Sequence, residues 1–318
     1  MRTIALVTYG GPEVLHSVEL PDPHADTGQV RIRVQAAAVA PVDAMLRTGL
    51  LAGAYAGYAP PYVPGMEVAG VIDEVGSGLE DRGDIKLGAF VVGFVDTIGS
   101  HGGYSDYVVL PAASVTHAPR GSTAPEAASF LNNALTARNA LDTLALKPGS
   151  SLLVTGAAGS VGGYVVELAA YQGISVVGVA SAADAELVRS MGAARVIPRG
   201  SDLARRVRDE QPDGVDAVAD AAILGTTVVG GVRDGGQIAA LRSTASYDLE
   251  RGVVVHHLNV RERATDQTAI SSLRDLVEQS VLSMRVGPTF AALDAPRAHS
   301  LLDAGGTRGR IILEFPVQ

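Results

Sequence analysis

Residues 151–163 read Ser-Leu-Leu-Val-Thr-Gly-Ala-Ala-Gly-Ser-Val-Gly-Gly, and this stretch decides the fold. Ser151–Thr155 is a short apolar run with the length of a buried strand, and Ser160–Gln172 has the composition of a helix. The turn between them is a variant of G-x-G-x-x-G. Ala157 fills the first glycine position, and Gly159 and Gly162 fill the other two. Small residues here let the backbone approach a pyrophosphate, and the helix start supplies N–H donors and a positive dipole end. Gly162 permits close packing of helix on strand. Gly156, Ala157, Ala158, Gly159, Ser160, Val161 and Gly162 are thus the candidate phosphate cradle. In a chain with 37 glycines a degenerate glycine loop arises readily by chance, so the weight rests on the strand–turn–helix setting.

Working outward, the α/β rhythm continues downstream. Ser175–Val179 is the next strand, Asp184–Met191 a helix, Ala194–Ile197 a short strand, Asp202–Glu210 a helix and Gly214–Ala219 a strand. Such alternation is the mark of a doubly wound parallel sheet. Upstream the style differs. Val30–Val39, Val68–Val75, Ala89–Val95 and Tyr104–Leu110 are short strand-like runs separated by Gly and Pro, as in a small barrel or sandwich. Ala124–Leu144 is helical, with an interruption at Asn132-Asn133. Arg297–Asp303 reads as a short helix and Arg310–Phe315 as a final strand. The expected organisation is a β-rich domain at 1–120 and 285–318, interrupted by a dinucleotide-binding domain at 121–284.

Composition narrows the function classes. The chain has 318 residues, 25 basic and 34 acidic side chains, a net charge of −9 and no cysteine. Disulfides, thiolate zinc sites, iron–sulfur clusters and a cysteine nucleophile are excluded. A pI near 5.2 argues against broad binding to nucleic acid or anionic membrane. No run of about 18 apolar residues appears, and Met1–Tyr9 is too short and too soon interrupted to be a signal peptide. The expectation is a soluble cytoplasmic protein acting on a small molecule.

Cofactor choice is readable in the same unit. A site for NAD carries Asp or Glu at the end of the second strand, about 20 residues on from the glycine loop. That region reads Val179-Ala180-Ser181-Ala182-Ala183, without a carboxylate, and Asp184 is placed to start a helix. Ser181 is expected to donate to a 2′-phosphate and Arg199 to supply charge, so NADPH is expected over NADH.

The chain resembles the zinc-independent medium-chain dehydrogenase/reductases of the quinone oxidoreductase (zeta-crystallin-like) branch. The resemblance runs almost end to end. It rests on Pro41-Val42-Asp43 with Arg47-Thr48-Gly49, Pro64-Gly65-Met66-Glu67 with Ala69-Gly70-Val71, and Gly102 to Val108 (GGYSDYV). It extends through Ala127 to Leu131 (AASFL), Leu135-Thr136-Ala137, the cofactor loop, Ala298-His299 and Gly309-Arg310. The resemblance implies a GroES-like β-barrel plus an inserted Rossmann domain, an NADPH cofactor, an active site in the cleft between the domains, and a homodimer. Metal-dependent members carry a Cys in the segment matching Ala38–Asp43 and a His in the segment matching Gly65-Met66-Glu67. Here Met66 stands where the His would be, and Glu67 alone cannot hold zinc.

Without a metal, hydride from a nicotinamide C4 is expected to add to a quinone or to the β-carbon of a conjugated carbonyl, with donors for the developing enolate. Tyr55, Tyr58 and Tyr62 are the candidate donors, either catalytic or merely packing residues of a lid. Asp43 orients a cleft group or caps a turn. Ala40 replaces the Asn usual before Pro41 in the family, which removes a polar group and opens room for a bulkier substrate. Asn132 and Asn133 face the substrate or cap a helix end. Thr136 matches a threonine near the nicotinamide, and Leu241-Arg242-Ser243 match the segment beside that ring, where Arg242 touches an acidic or carbonyl group or stays at the surface. His101 reads as a loop residue. His256-His257 are adjacent on a strand and point apart, which rules out a metal pair. Arg205–Asp209 reads as a solvated helix face. The expected activity is NADPH-dependent, metal-independent reduction of a quinone or enone. A dedicated biosynthetic enoyl reductase and an NADPH-binding protein with little catalysis stay open beside it.

Overall fold

The computed structural model describes residues 1–98, 101–242 and 245–316. Along the chain run β1 (Arg2–Ala5), β2 (His16–Glu19), β3 (Gln29–Val39), α1 (Pro41–Arg47), β4 (Glu67–Val75), β5 (Phe90–Phe94), β6 (Tyr107–Pro111), β7 (Val115–His117) and α2 (Ala124–Ala127). Next come α3 (Leu131–Leu144), β8 (Ser151–Thr155), α4 (Ser160–Tyr171), β9 (Ser175–Ala180), α5 (Ala185–Ser190), β10 (Arg195–Pro198) and α6 (Leu203–Glu210). The remainder is β11 (Val215–Asp220), β12 (Val232–Ala240), β13 (Val254–His257), α7 (Gln267–Glu278), β14 (Val286–Ala291), α8 (Ala295–Ala304) and β15 (Arg310–Glu314).

Two compact units result. One comprises Met1–Asn132, Ala264–Glu278 and Met284–Gln318, the other Asn133–Arg263 and Gln279–Ser283. This division differs from boundaries drawn at 120/121 and 284/285. α7 belongs with the first unit because it packs against β7.

In the first unit the sheet order is β14-β15-β3-β4-β5-β7, with β6 also on β3. The long strand β3 pairs with β6 through Gln29–Arg33 and with β15 through Ala36–Val39, while β4 takes its other edge. Its register against β4 shifts between Arg31 and Ile32 and again between Val34 and Ala36, and such bulges bend a strand into a barrel. Side chains of β3 alternate in burial up to Gln35, then Ala36–Val39 are all buried. Alternation ends where small residues (Ala36, Ala38, Ala69) let Ala127 and Ala128 pack closely on the sheet. The returning strand β15 completes this GroES-like barrel through Ile311↔Val39 and Ile312↔Ala38.

The second unit is a six-stranded parallel sheet ordered β10-β9-β8-β11-β12-β13. Renumbered within the unit, that is 3-2-1-4-5-6, the Rossmann order. Its switch point lies between β8 and β11, where ligands bind at the carboxyl ends of the strands. β8 is buried from Leu152 to Thr155 because it is covered on both faces, so it reads as a continuous apolar run rather than an alternating one.

Candidate nucleotide and substrate sites

The second unit places the glycine turn at the switch point. Gly156 leaves β8 at φ +60, a conformation that glycine enters without a Cβ penalty. Gly159 caps α4, whose twelve residues begin at Ser160. A Cβ on Gly162 would lie 2.2 Å from the Gly156 carbonyl oxygen, so only glycine allows this approach of helix to loop. Ala157 stands at the first glycine position of the motif and is fully buried. Gly178 of β9 makes room for it: a Cβ there would come within 3.2 Å of the Ala157 methyl. Gly159 is exposed, and Ser160 and Val161 are half-buried, open to a phosphate at the helix start, whereas Ala158 is buried.

A cavity of about 340 Å³ adjoins this loop, lined by Gly156, Val179, Arg199, Gly200, Ser201, Ala222, Leu224 and Thr227, with Leu203 behind. Arg199 is exposed on its rim. These are residues that fit a dinucleotide: a loop that admits backbone approach, an adjoining hollow and a cation. Ser181 departs from expectation. Its hydroxyl donates to Asp184 Oδ2 at 2.6 Å, so its proton is already committed and it is no donor to a 2′-phosphate. The reason is local. Ser181 precedes the short turn 182–184 that leads into α5, and Asp184, buried there, takes the hydroxyl.

Thr136 is half-buried on α3. Leu241 and Arg242 are half-buried just past β12, and burial lowers the pKa of Arg242. Ser243 lies outside the described residues. His256 contacts Gln237 Oε1 and His257 meets the Tyr247 ring edge-on, so the two turn to separate partners.

The first unit builds an aromatic pocket. Tyr55, Tyr58 and Tyr62 line a cavity of about 300 Å³ with Thr97, His101, Tyr107 and apolar neighbours. Tyr55 is buried and its hydroxyl lies 2.7 Å from Thr97 Oγ1. Tyr62 stacks on Tyr9 at 5.7 Å and meets Tyr55 edge-on at 5.5 Å, while its hydroxyl donates to the Tyr58 carbonyl. Tyr58 is exposed. The structure thus brings all three tyrosines together, and adds Tyr9, Thr97 and His101. The last of these read from sequence as an ordinary loop residue.

Asp43 performs a structural task. It is 2% exposed and accepts N–H groups of Ala40 (2.7 Å) and Gly65 (2.8 Å), tying the start of α1 to the Gly65 turn. The Tyr104 hydroxyl lies 3.4 Å from Asp43 and 3.2 Å from His299 Nε2. Burial pushes the Asp43 carboxyl up to about 6, against the pull of its N–H donors and Arg310. Burial and the Arg47 charge push His299 down to about 4. Ala40 is buried at the helix cap.

Asn132 and Asn133 do not interrupt a helix. The break falls at residues 128–130, and both amides lie buried in the first turn of α3. The reason is Glu67, fully buried on β4, whose Oε1 accepts the Leu131 N–H and thereby caps α3, with the Phe130 and Asn132 N–H groups also favouring the carboxylate. Burial raises Glu67 to about 7, partly offset by Arg310, whose guanidinium lies 3.8 Å away. The capping role of Glu67 has no local sequence signal, because cap and helix are 64 positions apart.

Comparison with known proteins agrees with this architecture. The alcohol dehydrogenase GroES-like domain family matches residues 26–120, and the zinc-binding dehydrogenase family matches 191–313. The chain is 28% identical to a 2-methylene-furan-3-one reductase of Solanum lycopersicum, covering 98% of this chain and 79% of the relative. It is 27% identical to a quinone oxidoreductase of Pseudomonas aeruginosa, covering 98% and 99%. A mycobacterial structure complexed with NADPH superposes with a TM-score of 0.85 at 27% identity, covering 99% and 100%. The chain belongs to the medium-chain dehydrogenase/reductase family of oxidoreductases, in its quinone oxidoreductase branch. Among the described residues, no group of three or more His, Cys, Asp or Glu side chains is placed to hold a metal ion. Nor is any described helix long and apolar enough to cross a membrane.

Proposed function

We propose that this protein is an NADPH-dependent reductase of quinones or α,β-unsaturated carbonyls that works without a metal. The observation that carries the reading is the nucleotide site: a glycine-permitted phosphate cradle beside a 340 Å³ cavity rimmed by Arg199. A bound nicotinamide would supply the hydride. Gly156 to Gly162 would hold the pyrophosphate and Arg199 the 2′-phosphate, with Thr136, Leu241 and Arg242 toward the nicotinamide. The relatives named as quinone and enone reductases support the substrate class, as does the tyrosine pocket. Its rings offer flat apolar walls to a conjugated substrate, and the Tyr55–Thr97 hydroxyl pair offers a donor to a developing enolate oxygen. Ala40, Asn132 and Asn133 contribute shape rather than charge.

The test is NADPH oxidation across 1,4-quinones and enones, with and without chelator. Turnover indifferent to chelator is expected, and silence across the panel despite NADPH binding would sink the reading. Arg199→Ala should weaken NADPH about 10- to 100-fold and leave NADH unchanged, since a charge-assisted hydrogen bond is worth roughly 1.5–3 kcal/mol. Equal losses for both coenzymes in a binding titration would remove Arg199 from the 2′-phosphate. We also propose a homodimer through the edge strand β13, where Val254 is 48% exposed. Sedimentation should give twice the chain mass, and Val254→Lys should shift it toward the monomer.

A further inference from the structure

Asp220 ends β11 and is 1% exposed. Its carboxylate accepts four hydrogen bonds from three separate segments. Oδ1 takes the Thr155 hydroxyl (2.6 Å) and the Leu224 N–H (3.0 Å). Oδ2 takes the Gly225 N–H (3.0 Å) and the Tyr247 hydroxyl (2.9 Å). Thr155 is the residue before the phosphate cradle, and its oxygen accepts the Ala222 N–H at 2.9 Å. Leu224 and Gly225 belong to the turn after β11, and Tyr247 to the segment after β12.

That turn is strained. Ile223 sits at φ +59, a region that β-branched residues rarely enter. Such a conformation persists only where the surroundings impose it. Here the two N–H groups that follow Ile223 are both taken by Asp220. The segment of Tyr247 closes over the same turn. A Cβ on Gly225 would meet the Ser246 carbonyl at 2.6 Å, and the Asp248 N–H donates to Thr226 Oγ1 at 3.0 Å. Held this way, Ala222 and Leu224 form a wall of the nucleotide cavity. Ala222 lies so close to Gly156 that a Cβ there would be 3.4 Å from the Ala222 methyl.

We propose that Asp220 is a positioning residue for the nucleotide, with Tyr247 as its strap. It holds the strained Ile223 turn against the phosphate cradle, so the cavity wall is ordered before the ligand arrives and no ordering cost falls on binding. The proposal rests on the dinucleotide reading above. The place of Asp220 is to convert four hydrogen bonds inside the protein into the shape of the site.

The test uses the full chain and calorimetric titration with 5′-AMP, 2′,5′-ADP and NADPH. Asp220→Asn puts an NH₂ where N–H donors now point, and should weaken all three about 10-fold. Tyr247→Phe removes only the strap and should weaken them about 3-fold. Ile223→Gly, added to Asp220→Asn, should restore affinity to within about 2-fold of wild type, because glycine adopts positive φ unaided. A role confined to global stability would not give that rescue. Wild-type affinity in Asp220→Asn, or no recovery with Ile223→Gly, overturns the proposal. If Asp220→Asn does not fold, Tyr247→Phe decides: unchanged affinity overturns it and a loss supports it. A wild-type protein that binds none of the three overturns the dinucleotide reading itself.

Discussion

Replacing Gly162 with valine should abolish nucleotide binding, raising the NADPH dissociation constant at least about 100-fold, or roughly 2.7 kcal/mol. The obstacle is backbone, not a side chain that can swing away. The first added carbon would lie 2.2 Å from the Gly156 oxygen and 2.8 Å from its carbonyl carbon. Helix α4 must then move off the loop, and the N–H groups at its start no longer point where phosphate oxygens sit. Gly83→Ala is the matched control, because a Cβ there meets nothing within 4 Å. Calorimetry on both variants checks the prediction. Retained binding in Gly162→Val would mean that this turn is not the phosphate site.

Removing the carboxylate of Glu67 should be the most destabilising single change in the first unit. Glu67→Ala orphans the buried Leu131 N–H at the start of α3 and takes away the carboxylate that faces the Arg310 guanidinium, itself 5% exposed. Breaking a buried pair in this way costs roughly 3–5 kcal/mol, which lowers the melting temperature by about 4–8 °C in a chain of this size. The comparison with Glu67→Gln isolates the proton. Glu67 has its folded pKa raised from 4.5 to about 7, so its proton-linked stability is full below 4.5 and is lost as pH rises through about 7. Asp43, raised to about 6, acts in the same sense. His299, lowered from 6.5 to about 4, acts in the opposite sense: its contribution is present above 6.5 and lost as pH falls through about 4. Asp43 and His299 are common to wild type and Glu67→Gln and cancel between them. Wild type should therefore gain on Glu67→Gln by up to about 3 kcal/mol as pH falls from 8 to 5. A gap in melting curves that does not change with pH would remove Glu67 as the titrating group.

These predictions sit at different distances from the sequence. Gly162 is legible in one dimension, because the close approach it permits is between residues six positions apart. The alternation of strand and helix from Ser151 to Ala219 is legible for the same reason: parallel strands covered on both faces write continuous apolar runs, and their helices write small and apolar stripes. The strand Arg310–Phe315 reads from sequence as one that returns to the first domain, but its register there is not legible. Its partner, Val39, lies some 270 residues upstream, and pairing across that distance leaves no local mark. Ser181 shows the limit from the other side. Its residue type suits a phosphate, but its hydroxyl was already taken by a carboxylate three residues on.

The sequence by itself determined the class of fold, the glycine-rich turn between strand and helix, the tyrosine-rich segment and the absence of cysteine and histidine where zinc-using relatives carry them. These follow from residue type and short spacing, where covalent geometry alone places the side chains. The tertiary structure decided which carboxylates are structural. Asp43 and Glu67 become buried caps at about 6 and 7, and Asp220 gathers Thr155, Leu224, Gly225 and Tyr247 around one pair of oxygens. A carboxylate's task depends on the donors that folding brings to it from distant segments and on the water that folding removes. Neither is written in the residues beside it.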